Sequence, residues 1–224
     1  GDKKVKGKGN ANSSSKKVQP VELDMNQDML TRMELKVGVI TKVWNHPTAE
    51  RYCRFSVNSV VHDDIIGHII TDRWFTPFDE LFFYTQLYCR LFCEEVDLGE
   101  GSPRQIVSGL RGHYTLDELL NRKVVVVCNL KEAKLQGVPS NGMVLACKCP
   151  INGSENMRVE LVTPHPDTIP GDRVLTSDES THTLSAWTVN AAKKHKVWDQ
   201  VVADLNTNEN CIVCYKNCPM VTVT

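Results

Sequence analysis

The sequence predicts a mainly β fold: a five-stranded barrel with one short helix between strands three and four, followed by a small α+β C-terminal extension. Three observations predict it. Five short apolar segments recur between glycine-marked stops, a helix-start signature falls between the third and fourth, and the fourth is an uninterrupted valine run.

The first segment, "LKVGVITKVW" (35–44), is rich in β-branched residues and roughly alternating, and His46-Pro47 ends it. "LFCEEVDLG" (91–99) reads as the second strand and "RQIVSGL" (104–110) as the third, each closed by glycine. In "TLDELLNR", Thr115 and Glu118 have capping-box spacing, where each side chain satisfies a free N–H at the helix start. "KVVVVCNL" (123–130) has the continuous apolar character of a strand buried on both faces, and "GMVLAC" (142–147) reads as the fifth strand. Strand, strand, strand, helix, strand, strand is the chain order of an oligonucleotide/oligosaccharide-binding (OB) barrel. Beyond residue 155, "RVELV", "GDRVLT" and a helix over "AAKKHKVWDQVVADL" make up the extension.

The domain boundaries follow from composition. Residues 1–28, rich in Lys, Gly, Asn and Ser, read as a disordered basic arm, 29–155 as the barrel and 156–224 as the extension. The opening Gly1 suggests a fragment, and no signal peptide or membrane-length apolar run is visible. Residues 52–90 stand apart: this 39-residue block holds nine of the fifteen aromatics and carries a charge of −2 where two adjacent strands call for a short connection. Aromatics can stack on bases, but the acidic surroundings argue against that use here.

Net charge is −1, yet the cations cluster. Residues 1–19 hold six lysines against Asp2, residues 122–148 hold five bases against Glu132, and Lys193, Lys194 and Lys196 flank His195. Such clusters in a near-neutral chain suit a polyanion, although each alone also fits a solvated face. The nine cysteines, an odd count, read as reduced thiols in a cytosolic protein. Cys211-x-x-Cys214-x-x-x-Cys218 with Cys147-x-Cys149 has zinc-like spacing, but the same residues read as small hydrophobes in strands, and no metal or cofactor is expected. Walker, G-x-S-x-G, H-E-x-x-H, H-I-G-H and K-M-S-K-S motifs are all absent, and His46, His113 and His165 have no nucleophile partner, so no catalytic residues are expected.

"LKVGVI" (35–40), "HPTAE" (46–50), "EEVDLGE" (94–100), "PRQIVSGL" (103–110), "NRKVVVVCNLKEAKLQGVPSNGM" (121–143) and "PGDRV" (170–174) together resemble the tRNA-binding domain family. That barrel occurs as free tRNA-binding proteins and appended to methionyl- and tyrosyl-tRNA synthetases. "KKHKVWDQVVADLNTNENCIVCYKNCP" (193–219) is similar to the extension of its eukaryotic, endothelial monocyte-activating polypeptide II-like branch. The resemblance implies a cytoplasmic binding module of protein biosynthesis, not an enzyme. It would bind tRNA largely without sequence preference and present it to a methionyl- or tyrosyl-type synthetase or a multi-synthetase complex.

The resemblance also implies that Lys131, Lys134, Ser140, Asn141 and Met143 face tRNA, joined by Lys36, Lys42 and Arg104, with Lys193, Lys194 and Lys196 adding sequence-independent attraction. Gln136 stands where eukaryotic members usually place arginine, so a phosphate contact is expected to be weakened there. Two departures suggest that residues 52–90 are a retained intron or gene-model error, and that the end after "YKNCP" is truncated or misassigned. The alternative readings are a cytokine-like signalling polypeptide and a non-functional mis-spliced product. Oligomeric state is left open.

Overall fold

The computed structural model describes residues 23–47, 90–150 and 157–223. The arm up to residue 22 and the aromatic block, except Arg90, lie outside the described residues. Thirteen strands and three short α-helices are seen among those described: β1 Leu35–Asn45, β2 Phe92–Asp97, β3 Arg104–Ser108, α1 Leu116–Leu119, β4 Lys123–Val127, β5 Ala133–Leu135, β6 Val138–Ser140, β7 Met143–Val144, β8 Ala146–Pro150, β9 Met157–Leu161, β10 Arg173–Thr176, α2 Val189–Lys194, α3 Val197–Ala203, β11 Leu205–Thr207, β12 Val213–Tyr215 and β13 Cys218–Val223. No described helix is long and apolar enough to cross a membrane.

The main sheet is antiparallel and runs β11-β12-β13-β10-β1-β2-β3, with β4 also on β1 and β7 on β4. Strand β1 does this double duty by length: Leu35–Val39 pair with β4, and Val39–Asn45 pair with β2 across an irregularity between Ile40 and Lys42. Such a bulge bends a strand and lets a sheet coil. Gly38 permits the tight approach there, since a Cβ would sit 2.6 Å from Val96 Cγ1. The path β3-β2-β1-β4-β7 is that of an OB-like fold, but among the described residues no strand ladder closes the expected barrel. Strand β7 is two residues long, so the seam against β3 is made by separate bonds, Asn141 N donating to Gln105 O at 2.9 Å among them.

The valine run is buried on both faces for a definite reason. Val124 and Val126 enter one core with Ile40, Val96, Ile106 and Leu119, whereas Val125 and Val127 enter a second with Leu35, Val37, Val174, Trp187 and Val201. The extension therefore shares a core with the barrel, and Val37 N donates to Asp172 O at 2.8 Å where β10 joins β1.

Residues 23–28, expected to be part of the arm, also take part. Gln27 Nε2 donates to Ser185 O at 2.9 Å, and Trp187 Nε1 donates to Gln27 Oε1 at 3.1 Å. Arg32, 4% exposed, lies 4.4 Å over the Trp187 ring and donates to the Gln27 and Met25 carbonyls. Asn129 completes the junction through bonds from Nδ2 to Arg32 O and Trp187 O.

Helix α1 starts with the expected capping box at Thr115 and Glu118. Two other expectations change. The strand over 142–147 divides at Leu145 into β7 and the start of β8, because Leu145 turns into the second core. The single helix over 191–205 divides at Lys196, which takes φ 49°. A continuous helix would rotate Val197 roughly 140° from Ala192 at 3.6 residues per turn. The break brings Ala191, Ala192, Val197 and Val201 into one core.

Candidate nucleic-acid interface

The stretch after β4 folds back as the β5–β6 hairpin. Its two turn residues, Gln136 (φ 51°) and Gly137 (φ 85°), both have positive φ, the pattern of a type I′ turn. Positive φ is easy for glycine and strained for glutamine.

Four hydrogen bonds set the hairpin against the barrel. Gln105 Nε2 donates to Pro139 O at 2.8 Å, Val107 N donates to Ser140 Oγ at 3.0 Å, and Asn141 N donates to Gln105 O. From the end of β1, the fully buried His46 donates through Nε2 to Leu135 O at 3.0 Å. This clamp leaves Lys131, Lys134 and Gln136 exposed at the outer side. Among the described residues, neither lysine has an acidic partner within ion-pair distance.

The other expected site residues divide into groups. Ser140 is 3% exposed and its hydroxyl is taken up by Val107 N and Gly142 O, so it faces the protein rather than solvent. Met143 packs against the second core, and Asn141 serves the seam through its backbone. Lys36 lies between Glu34 (2.8 Å) and Glu100 (3.0 Å), and Arg104 forks onto Glu100 at 2.6 and 2.7 Å. These four charges sum to zero. The Arg104 guanidinium holds the Glu100 carboxyl below the usual carboxylate range. Both cations are therefore already paired with carboxylates. Lys42 is exposed, 3.3 Å from Glu95 and 5.3 Å over the Trp44 ring.

Lys193, Lys194 and Lys196 are exposed on α2 and the break after it, without acidic partners among the described residues. The Trp187–Asn129 bond brings this helix pair next to the hairpin base: His195 meets the Trp187 ring at 5.5 Å, and Asn129 lies two residues before Lys131. The two lysine-bearing segments are thus linked through Asn129 and Trp187. The described cysteines do not converge with His, Asp or Glu in any metal-holding group. Burial pushes the Cys93 and Cys128 thiols up to about 11 and 12, which makes them poor nucleophiles and ligands at neutral pH.

His46, which the sequence marks as a non-catalytic histidine at the end of the first strand, and Gln105, which no motif marks, hold the hairpin. Only the long-range fold reveals them, because their partners lie 89 and 34 residues away.

Residues 88–173 match the family model described as a putative tRNA binding domain. The chain is 40% identical over 133 residues to Aminoacyl tRNA synthase complex-interacting multifunctional protein 1 of Mus musculus, covering 58% of this chain and 38% of that protein. It is 31% identical over 222 residues to the probable methionine--tRNA ligase of Oryza sativa subsp. japonica, covering 99% of this chain and 21% of the ligase. The chain thus spans well under half the length of these curated relatives. Among solved structures, the C-terminal domain of Plasmodium vivax p43 is similar in fold, with a TM-score of 0.59 and 23% identity over 86% of this chain and 89% of that one.

Proposed function

We propose, from the premise that residues 88–173 belong to the putative tRNA binding domain family, that this chain binds tRNA largely without sequence preference and presents it to an aminoacyl-tRNA synthetase, with no catalysis of its own. The partner is a methionyl- or tyrosyl-type synthetase or a multi-synthetase assembly, and the setting is the cytoplasm. The relatives support this reading, being a synthase-complex-interacting protein and a methionine–tRNA ligase.

One observation carries the proposal. A hairpin clamped to the barrel at both ends presents Lys131 and Lys134 with no ion pair among the described residues, on a segment linked through Asn129 and Trp187 to the helix of Lys193 and Lys194. Lysine contacts phosphate without reading sequence, and each contact releases condensed counterions. Binding should therefore weaken steeply with salt. The test is tRNA binding across a salt series for the chain and for K131Q/K134Q. The variant should lower the log–log slope by about 2, one for each phosphate contact removed. Unchanged slopes would remove the hairpin from the interface.

A further inference from the structure

At the barrel end where the hairpin tip is held, three other strand ends meet. His46 N donates to Leu91 O at 3.2 Å, Phe92 pairs with Ser108, and Arg111 N donates to Arg90 O at 3.0 Å. The loop that follows β3 therefore emerges across the same mouth as the hairpin tip. It carries Arg111, which forms a backbone bridge with Tyr114, and the Arg122 guanidinium lies 5.0 Å over the Tyr114 ring. Arg111 thus adjoins the tyrosine through its backbone and Arg122 through its guanidinium, while the tyrosine hydroxyl is fixed by accepting Leu161 N at 3.0 Å.

Neither arginine has an acidic partner within ion-pair distance among the described residues. Arg111 Nη1 and Arg122 Nε are moreover buried without a hydrogen-bond partner. A half-buried guanidinium without an anion is unfavourable, and one stacked on an aromatic ring is pre-oriented to offer its remaining N–H groups. The acids nearby form no ion pair with either arginine: the Glu118 carboxyl is held low first by its capping-box bonds from Thr115 N and Oγ1 and only lastly by the Arg122 charge, and Asp117 is exposed on α1.

We infer that Arg111, joined to Tyr114 through its backbone, and Arg122, stacked on the Tyr114 ring, form a second phosphate-binding point that continues the RNA backbone track from the Lys131–Lys134 hairpin across the barrel mouth. This rests on the tRNA-binding reading and extends it from the hairpin lysines to Arg122, at the start of the same basic stretch, and to Arg111, which lies outside every basic cluster. The ligand is the phosphodiester backbone of folded RNA.

The test compares the salt dependence of tRNA binding in the full chain, R111Q, R111Q/R122Q, R111K/R122K and K131Q/K134Q, with thermal melting of each. R111Q should reduce the slope by about 1 and the double variant by about 2, while R111K/R122K keeps the slope. A reduced slope for K131Q/K134Q with an unchanged slope for R111Q overturns the arginine site and leaves the hairpin reading intact. Unchanged slopes in both sets overturn both. Should R111Q/R122Q melt early, R111Q on its loop decides alone, because it leaves the Arg122–Tyr114 stack in place.

Discussion

Ser140 Oγ accepts the backbone N–H of Val107 at 3.0 Å and donates to the Gly142 carbonyl at 3.0 Å, so one hydroxyl stitches β6, β3 and the approach to β7 together. Among the described residues, no strand ladder closes the barrel at this seam. Removing the hydroxyl leaves a buried N–H unpaired, which costs about 1–2 kcal/mol. Ser140→Ala is expected to lower the melting temperature and weaken tRNA binding through a loosened hairpin, with the salt slope unchanged. A slope that falls by about 1 would instead make Ser140 a phosphate contact.

The Glu100–Arg104 fork should behave in the opposite way to the hairpin lysines. Arg104 reaches Glu100 through two nitrogens and also donates to Cys128 O at 2.8 Å, tying β3 to the end of β4. With both side chains about a quarter exposed, the pair contributes on the order of 1 kcal/mol. Arg104→Gln is expected to lower stability, measured by urea unfolding, and to leave the tRNA salt slope unaltered. Because Glu100 is held below the usual carboxylate range, this contribution is present above the ordinary carboxylate value and is lost as pH falls through the depressed one. The stability gap between the chain and the variant should therefore close in acid.

Gln136 combines a strained turn position with an exposed one. Its φ of 51° suits asparagine better, so Gln136→Asn is expected to gain about 0.5 kcal/mol without affecting binding. Gln136→Arg restores a cation at the hairpin tip and should steepen the salt slope by about 1. An arginine variant that binds like the parent would show that the tip points away from RNA.

How far the sequence discloses this arrangement depends on the range of the interactions. The capping box at Thr115 and the valine run of β4 are local signals, and both translate directly into structure. The neutralisation of Lys36 is only partly local: Glu34 lies two residues away, but Glu100, which couples the lysine to Arg104, lies 64 residues away and is paired with it only in the fold. The strand bounds of the hairpin are not legible either, since "VPS" carries a proline and no alternation, and its pairing depends on the turn. Even the break at Lys196 is visible only after Ala192 and Val197 are required to meet one core.

Glu94 provides the pH dependence that the described structure implies most directly. It lies on β2 and is 0% exposed. Ser108 Oγ donates to its Oε1 at 2.5 Å, while Oε2 has no partner. Burial raises its carboxyl from the ordinary 4.5 to about 7, the Ser108 bond opposing that rise in part. The folded state therefore holds a proton that the unfolded state releases. The corresponding stability is fully present below pH 4.5, declines as pH rises toward 7, and is lost above it. The amount is on the order of 3 kcal/mol. Glu94→Gln keeps an acceptor for Ser108 and removes the titration. Melting from pH 5 to pH 8 should show the parent losing stability across that window while the variant stays nearly level and is the more stable at pH 8. Parallel curves for the two proteins would mean that Glu94 stays ionised in the folded state.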